Sequence, residues 1–166
     1  MDNGYVFRKV KRQEIPLVFA LIMRRVAWMD RVGIHQWNDT NYAARYPLHY
    51  YEHRRQQEEL FLLEESATGR MVCVGALFHE DERWPDRESA FYLHHLASDV
   101  DARGTGSIFL EKAEEYCIKQ GKKYLRLDSA VGNQNLEEYY TSRGYVEAGE
   151  CVDGLYRGIL RQKKLI

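Results

Sequence analysis

Residues 100–107 read Val-Asp-Ala-Arg-Gly-Thr-Gly-Ser and place two glycines, Gly104 and Gly106, directly before a helix-like segment. Glycines at this spacing let the backbone turn tightly and leave successive amide groups unobstructed. Amides at the start of a helix lie at the positive end of its dipole, where phosphate groups bind. The segment therefore predicts either a phosphate site or a tight turn that binds nothing, and the spacing fits both equally.

Two other phosphate-binding motifs do not fit this segment. A P-loop requires Gly-Lys-Ser or Gly-Lys-Thr after four intervening residues, and the sequence contains neither. A dinucleotide fingerprint requires glycine at the position of Phe109 and an acidic residue about 20 positions further on. We therefore expect neither a P-loop nor a dinucleotide-binding turn.

Two adjacent histidines, His94 and His95, lie in a strand-like segment upstream of the glycines. Neighbouring residues of a strand point to opposite faces, so only one of them can enter a given cleft. Imidazole exchanges protons near neutral pH, so either side chain could act as a base. A histidine that is simply hydrogen-bonded in the sheet explains each residue at least as well.

The remaining histidines and cysteines give no metal motif. His49 and His53 are four apart on a predicted helix, but two arginines follow and no acidic or cysteine partner is close, so a solvated helix face is expected. Cys73, Cys117 and Cys151 are far apart and odd in number. This usage is typical of reduced thiols in a cytoplasmic protein, and we expect no metal ion.

The elements that must position these residues follow from hydrophobic periodicity. In the first half, residues 4–11 alternate as a strand, and a helix that Pro16 opens carries apolar residues at steps of three and four until Gly33. Residues 34–38 form a loop and 47–59 a polar helix. Residues 60–65 and 71–79 form a hairpin around turn residues 67–69.

In the second half, strands are predicted over 89–97 and 123–128 and helices over 104–120 and 133–143. Two closing strands, 145–152 and 156–162, flank Asp153-Gly154. The order β-α-α-β-β-β-α-β-α-β-β indicates an α/β (α+β) fold with a mixed sheet.

Length and charge narrow the class of protein. A chain of 166 residues predicts one domain over residues 1–166. Lys and Arg total 24 against 25 Asp and Glu, which lacks the positive excess of a nucleic-acid binder. The longest apolar stretch, residues 15–23, is shorter than the roughly 20 residues of a membrane span. The first residues lack a signal-peptide pattern, so a cytoplasmic location is expected.

Residues 91–145 resemble the GNAT N-acetyltransferase superfamily. Residues 92–97 (Tyr-Leu-His-His-Leu-Ala), 103–106 (Arg-Gly-Thr-Gly) and 109–114 (Phe-Leu-Glu-Lys-Ala-Glu) are similar to its acyl-CoA-binding motif. Residues 125–128, Asn133, Leu136, 139–140 and 144–145 resemble the next strand and helix. Upstream, residues 28–29, 33–34 and 36–37 look like a bacterial branch of the superfamily.

The resemblance implies a mixed, mostly antiparallel, twisted sheet with helices on both faces and two parallel strands, 89–97 and 123–128, that splay apart around acetyl-CoA. Backbone groups of Leu96 and Ala97 would pair with pantetheine. Amides of the glycine-containing turn would hold the pyrophosphate, namely those of Ala102, Arg103, Gly104, Thr105, Gly106 and Ser107.

The chain departs from the family pattern at two positions. Asp101 stands where glutamine or arginine is usual, and Ser98 where proline is common. A carboxylate about 8 Å from a phosphate costs about 2 kcal/mol at an effective dielectric constant near 20. We therefore expect Asp101 to point to solvent or to cap the helix.

The resemblance further implies that Tyr140 is the general acid facing the CoA sulfur. Asn133 and Tyr140 are seven apart, about two turns, so they share one helical stripe. Asn133 then contacts the cofactor, caps the helix, or does both. Tyr139 is rotated roughly 100° from Tyr140 and is expected in the core.

The general base and the acceptor pocket are less narrowly indicated. Glu88 and His94 are equal candidates for the base. Trp28, Trp37 and Trp84 are candidates for aromatic walls of the pocket, although each tryptophan could instead be core.

The sequence thus predicts an N-acetyltransferase that moves acetyl from acetyl-CoA to a primary amine of a small molecule or peptide, directly in a ternary complex. The alternative is a non-catalytic acyl-CoA-binding or regulatory module of the same fold. A protein-interaction domain without a ligand is a third hypothesis. The last strands offer an edge through which a homodimer could form.

Overall fold

A computed structural model describes residues 4–166 of the chain. Its strands and helices, in chain order, are β1 (Tyr5–Lys9), α1 (Ile15–Val32), α2 (Tyr42–Arg45), α3 (Leu48–Gln56), β2 (Leu60–Glu65), β3 (Met71–Phe78), β4 (Ala90–Ser98), α4 (Thr105–Lys119), β5 (Tyr124–Ala130), α5 (Gln134–Ser142), β6 (Val146–Asp153) and β7 (Tyr156–Lys164).

The seven strands form one sheet in the order β1-β2-β3-β4-β5-β7-β6. Strands β1–β2, β2–β3, β5–β7 and β6–β7 pair antiparallel, whereas β4 and β5 pair parallel. The parallel register runs from Ala90–Tyr124 only to Tyr92–Arg126, although both strands continue beyond. The mixed, mostly antiparallel sheet with one parallel pair confirms the predicted fold class.

Helix α1 shows why the sequence pattern was informative. Its apolar face is buried through Ile15, Val18, Leu21 and Ile22, at the steps of three and four that a helix requires. Gly33 ends the helix with φ of 73°, a left-handed conformation that glycine adopts without steric cost, and its N–H donates to Met29 O.

Each predicted element is present, with boundaries within three residues of those observed. Three short pieces were not predicted, namely the single turn α2 and the 3₁₀ turns at Arg12–Glu14 and Trp37–Asp39. Helix α2 follows Asn41, which has φ of 56°. One turn is too short for a periodic apolar pattern. In residues 4–166, no helix combines the length and apolar content that a membrane crossing demands.

The chain divides into two units by its internal contacts. Unit 1 comprises residues 4–77 and His95–Lys112, and unit 2 comprises Phe78–His94 and Ala113–Ile166. In unit 1, Phe7 stacks on Phe61 and meets Phe109 edge-on, each at 5.1 Å between ring centroids. A single domain over residues 1–166 stays a prediction.

Unit 2 contains a buried cation in its interior. Arg126 is 2% exposed and lies 4.2 Å from the centroid of the buried Trp84 ring. Its guanidinium bonds both carboxylate oxygens of Asp86, at 2.6 and 2.9 Å. A buried cation is tolerated when it is paired in this way. Trp84 also packs with Ala90 and Tyr92 in the same cluster.

Candidate active site

The turn that leads from β4 into α4 is held at Asp99. The Asp99 N–H donates to Val72 O at 2.8 Å, and Asp99 Oδ1 accepts from the Asp101 N–H at 3.1 Å. Arg24 and Arg70 lie 3.3 and 3.2 Å from Oδ2. Burial would raise the pKa of Asp99, but the Asp101 amide and the two guanidiniums outweigh it and lower that pKa. Asp99 is therefore an ionised anchor at neutral pH.

The start of α4 leaves its backbone open. Gly104 has φ of 81°, which favours glycine, and the Thr105 hydroxyl donates to Ala102 O at 2.7 Å. A Cβ atom placed on Gly104 or Gly106 would meet nothing within 4 Å. The first four amides of a helix have no intrahelical acceptor. This arrangement leaves room for a phosphate group, which is one of the two alternatives that the glycine spacing predicts.

The side chains around this turn differ in their exposure. Asp101 and Arg103 are exposed, and Ser107 is half-buried. In β4, Leu96 is half-buried and Ala97 is buried. Exposure of Asp101 agrees with the expected orientation of its carboxylate toward solvent.

The end of β4 is fixed by Arg25, which sequence reasoning missed. Its guanidinium donates to Ser98 O at 2.8 and 3.1 Å and to Ser98 Oγ at 2.8 Å. The half-buried Trp28 ring lies 4.5 Å from this guanidinium. Trp28 therefore contacts a structural cation, and its predicted place in the acceptor pocket is untested.

His95 introduces an irregularity in β4. Its φ of 57° lies in the left-handed region, which is rare for a residue other than glycine. Its Nε2 is 2.8 Å from Tyr50 Oη, and its Nδ1 is hydrogen-bonded to Tyr42 Oη. The half-buried Trp37 stacks on Tyr42 at 4.6 Å. Because both ring nitrogens of His95 are engaged, this residue serves β4 structurally.

His94 contacts an aspartate and a phenylalanine of unit 2. Its Nε2 is 2.7 Å from Asp81 Oδ2, and its ring lies 4.4 Å from the Phe78 ring. The other oxygen, Asp81 Oδ1, accepts from the Arg83 N–H at 3.0 Å. Burial would raise the pKa of Asp81, but the bond to His94 and the positive charges nearby lower it. His94 is thus paired with an ionised carboxylate.

A second carboxylate, Asp128, completes this polar cluster. Ligand atoms of Asp81, His94 and Asp128 all lie within 4.8 Å of one another, a grouping that could hold a metal ion. Arg83 is bonded to Asp128 Oδ1 at 3.0 Å, and Tyr156 donates to Asp128 Oδ2 at 2.5 Å. The Arg83 guanidinium therefore already balances part of the negative charge.

Glu88 lies apart from His94. It is exposed, sits two residues before β4 and is 3.8 Å from Lys123 Nζ. It is six positions before His94, which in an extended chain corresponds to roughly 20 Å. Of the two candidates for the base, His94 is the one placed in this polar cluster, two residues beyond the last paired residue of β4.

Helix α5 places Asn133 and Tyr140. Asn133 Oδ1 accepts from the Leu136 N–H at 3.1 Å, which is the capping role left open by the sequence. Tyr140 is 8% exposed, with its ring 5.2 Å from Tyr139 and 5.7 Å from Tyr145. The expectation that Tyr139 belongs to the core is wrong, since Tyr139 is half-buried and Tyr140 is buried.

Trp84 differs from the other two tryptophans predicted for the acceptor pocket. It is buried in the core cluster of unit 2, where its ring packs against the Arg126 guanidinium. Little of its surface is therefore available to an acceptor.

The profile described as the Acetyltransferase (GNAT) family matches residues 23–145. No match between the chain and a curated protein reaches significance.

Solved structures share the fold across nearly the whole chain. A GNAT family acetyltransferase from Listeria monocytogenes 4b F2365 is 22% identical with a TM-score of 0.82, covering 97% of this chain and 95% of its own. One from Streptococcus agalactiae 2603 is 20% identical with a TM-score of 0.77, covering 98% and 96%. The PaiA N-acetyltransferase of Thermoplasma acidophilum, in complex with coenzyme A, is 15% identical with a TM-score of 0.73, covering 96% and 98%.

Proposed function

Because the chain belongs to the GNAT acetyltransferase family, we propose that it moves an acetyl group from acetyl-CoA to a primary amine of a small molecule or peptide, directly in a ternary complex. The observation that carries this proposal is the start of α4. There, Gly104 and Gly106 leave open space beside backbone amides that have no intrahelical acceptor.

The chain's residues fit the cofactor in a defined way. The pyrophosphate would be held by amides of the β4–α4 turn, because Gly104 and Gly106 leave open space at the positive end of α4. The backbone of Leu96 and Ala97 would pair with pantetheine, and Asn133 would add a contact beside its capping bond. The full set predicted for the turn is Ala102, Arg103, Gly104, Thr105, Gly106 and Ser107, of which the Ala102 N–H already donates to Asp99 O at 2.9 Å.

Bound acetyl-CoA would supply the acetyl group as a thioester, so that the C–N bond forms as the C–S bond breaks. His94 takes the proton that the acceptor ammonium loses and passes it to solvent. Tyr140 gives its hydroxyl proton to the departing sulfur and regains one from the new amide nitrogen. Glu88 is less suited to the base because of its place before β4.

The acceptor would be bound beside aromatic side chains. Trp37 and Trp28 are half-buried and offer ring surface, whereas Trp84 is almost fully enclosed. Aromatic faces attract cationic amines, and neighbouring carboxylates can strengthen that attraction. The half-buried rings therefore support an amine acceptor, and a screen of primary amines identifies which one.

The proposal is tested by calorimetry with acetyl-CoA and CoA. Gly106→Glu places bulk and negative charge in the open space at the start of α4, so binding should fall by at least about 100-fold, as expected for a phosphate that loses its pocket and meets a like charge. Gln13→Glu adds the same charge at an exposed position before α1 and should bind as the wild type does. Normal binding by folded Gly106→Glu would place the pyrophosphate elsewhere.

The alternative function, a non-catalytic acyl-CoA-binding module, is separated by a second assay. The purified protein is incubated with acetyl-CoA and a panel of primary amines, and free CoA thiol is measured. Release that depends on an amine supports the transferase. Tight cofactor binding without release from any amine favours the binding module.

The proposal includes a cytoplasmic location and a homodimer. Cys73, Cys117 and Cys151 are all free, which favours a reducing, cytoplasmic environment. A homodimer would form through β6, which is the outermost strand after β7.

A further inference from the structure

We propose that Asp81 is a positioning residue that holds His94 as the general base for the acceptor amine. This inference rests on the proposed function and adds a residue that the sequence did not indicate. Asp81 lies in the loop between β3 and β4, thirteen positions before His94, so no local pattern joins them.

The geometry of the pair is that of an oriented histidine. Asp81 Oδ2 lies 2.7 Å from His94 Nε2, a charge-assisted hydrogen-bond distance. The Asp81 side chain is 7% exposed and that of His94 is 14% exposed, so water competes little for the bond. Asp81 Oδ1 is fixed in turn by the Arg83 N–H. The carboxylate is therefore held from both oxygens.

This bond sets the tautomer of His94. An ionised carboxylate can only accept, so Nε2 must carry the proton of the neutral imidazole. The lone pair of that tautomer is on Nδ1, and in this proposal Nδ1 takes the proton from the acceptor ammonium. The proton then passes to solvent, and Asp81 stays ionised throughout.

Other charged groups in the cluster do not replace Asp81. Asp128 uses Oδ1 for Arg83 and Oδ2 for Tyr156. Asp153 is 40% exposed and is bonded to the same guanidinium at 2.8 Å. The carboxylate bonded to His94 Nε2 is that of Asp81.

The matched variants follow from these contacts. Asp81→Asn keeps an oxygen for the Arg83 N–H but presents an amide N–H to His94 Nε2, so Nε2 must accept and the proton moves to Nδ1. Asp153→Asn removes a carboxylate from the same cluster without touching His94. His94→Gln removes the base itself.

Kinetics of amine-dependent CoA release test the role. Asp81→Asn should lower kcat by about 100-fold or more with KM for acetyl-CoA changed less than about 3-fold, since general base catalysis contributes roughly 100- to 10,000-fold. Asp153→Asn should match the wild type. In a His94→Gln background, Asp81→Asn should cause no further loss, because a residue that acts through His94 has nothing left to position.

A spectroscopic readout is independent of turnover. Long-range ¹⁵N–¹H correlations of the imidazoles at alkaline pH, with His94 assigned by comparison with His94→Gln, should show the proton on Nε2 in the wild type. Asp81→Asn should move it to Nδ1.

The outcomes separate this inference from the proposed function. A wild type that releases no CoA with any amine overturns both. An active wild type overturns the inference alone if Asp81→Asn retains full kcat, if its loss adds to that of His94→Gln, or if the tautomer is unchanged. Loss of kcat with the changed tautomer and no additivity supports it.

Discussion

At the scale of single residues, Tyr140 carries a sharp expectation. Its ring packs between Tyr139 and Tyr145, so removal of the hydroxyl leaves those contacts in place. Tyr140→Phe should lower kcat by about 100-fold or more, as loss of a general acid does, with the Kd for CoA unchanged. Steady-state kinetics and calorimetry measure the two quantities.

Tyr139→Phe is the matched control, because it deletes the same atom from the half-buried neighbour on the same helix. It should retain the wild-type kcat. Full activity in Tyr140→Phe would remove Tyr140 from the acid role.

Asp101 gives a second expectation at this scale. The residue is exposed, and its backbone rather than its carboxylate takes part in the turn at Asp99. Exposed charges are screened by salt, so Asp101→Gln should change the Kd for CoA by less than about 2-fold in 150 mM salt. Calorimetry decides this, and tightening by more than tenfold would show that the carboxylate faces the phosphates.

Residues with local signals were the predictable part of the site. Gly104, Gly106 and the cap at Asn133 follow from turn and helix rules that operate within a few positions. Asp81 and Arg25 were not predictable, because each meets its partner only when distant segments fold together. A lone aspartate or arginine in a loop or helix has no spacing that reveals such a partner.

At the scale of elements, the left-handed residue in β4 should control stability. His95→Asn keeps a side chain that tolerates positive φ, whereas His95→Val introduces a β-branched one that does not. Both lose the bonds to Tyr42 and Tyr50, so their difference isolates the backbone. The valine variant should be less stable than the asparagine variant by about 1–2 kcal/mol in urea denaturation. Equal stabilities would mean that β4 tolerates a regular conformation there.

The turn between β4 and α4 should be sensitive to acid. The pKa of Asp99 is lowered in the folded protein, so its contribution to stability is present above the unfolded value near 3.9 and is lost as pH falls through the folded value. Asp99→Asn should therefore cost about 1–2 kcal/mol of unfolding free energy at pH 7. The difference from wild type should shrink toward pH 3, and urea titrations at both pH values measure it. A difference independent of pH would contradict the ionic role.

The elements themselves were predicted well because their signals are local and repeated. Apolar spacing in α1, the turn residues after β2 and the glycine after α4 each specify one structure within a short window. The single turn α2 and the irregularity at His95 escape such windows. Tertiary contacts, namely the Tyr42 and Tyr50 hydroxyls on His95, hold the latter in place.

At the scale of the whole molecule, the edge strand β6 is available for pairing with a second copy of the chain. Val146 and Val152 of β6 are 59% and 68% exposed, and β6 is the last strand in the order. A dimer through this edge predicts that Val152→Lys weakens self-association by at least tenfold, because a paired edge does not readily accommodate a charge. Sedimentation velocity at several concentrations measures the effect. Leu17→Lys, a similar change on an exposed position of α1, is the control.

The buried cysteines have a practical consequence. Cys73 belongs to unit 1, whereas Cys117 and Cys151 belong to unit 2, and all three are buried. A disulfide reagent can reach such a thiol only when the surrounding structure opens. The labelling rate of each cysteine therefore reports how often the structure around it opens. Mass spectrometry of the labelled peptides then times the opening of each unit separately within one sample, with reporters that the protein already contains.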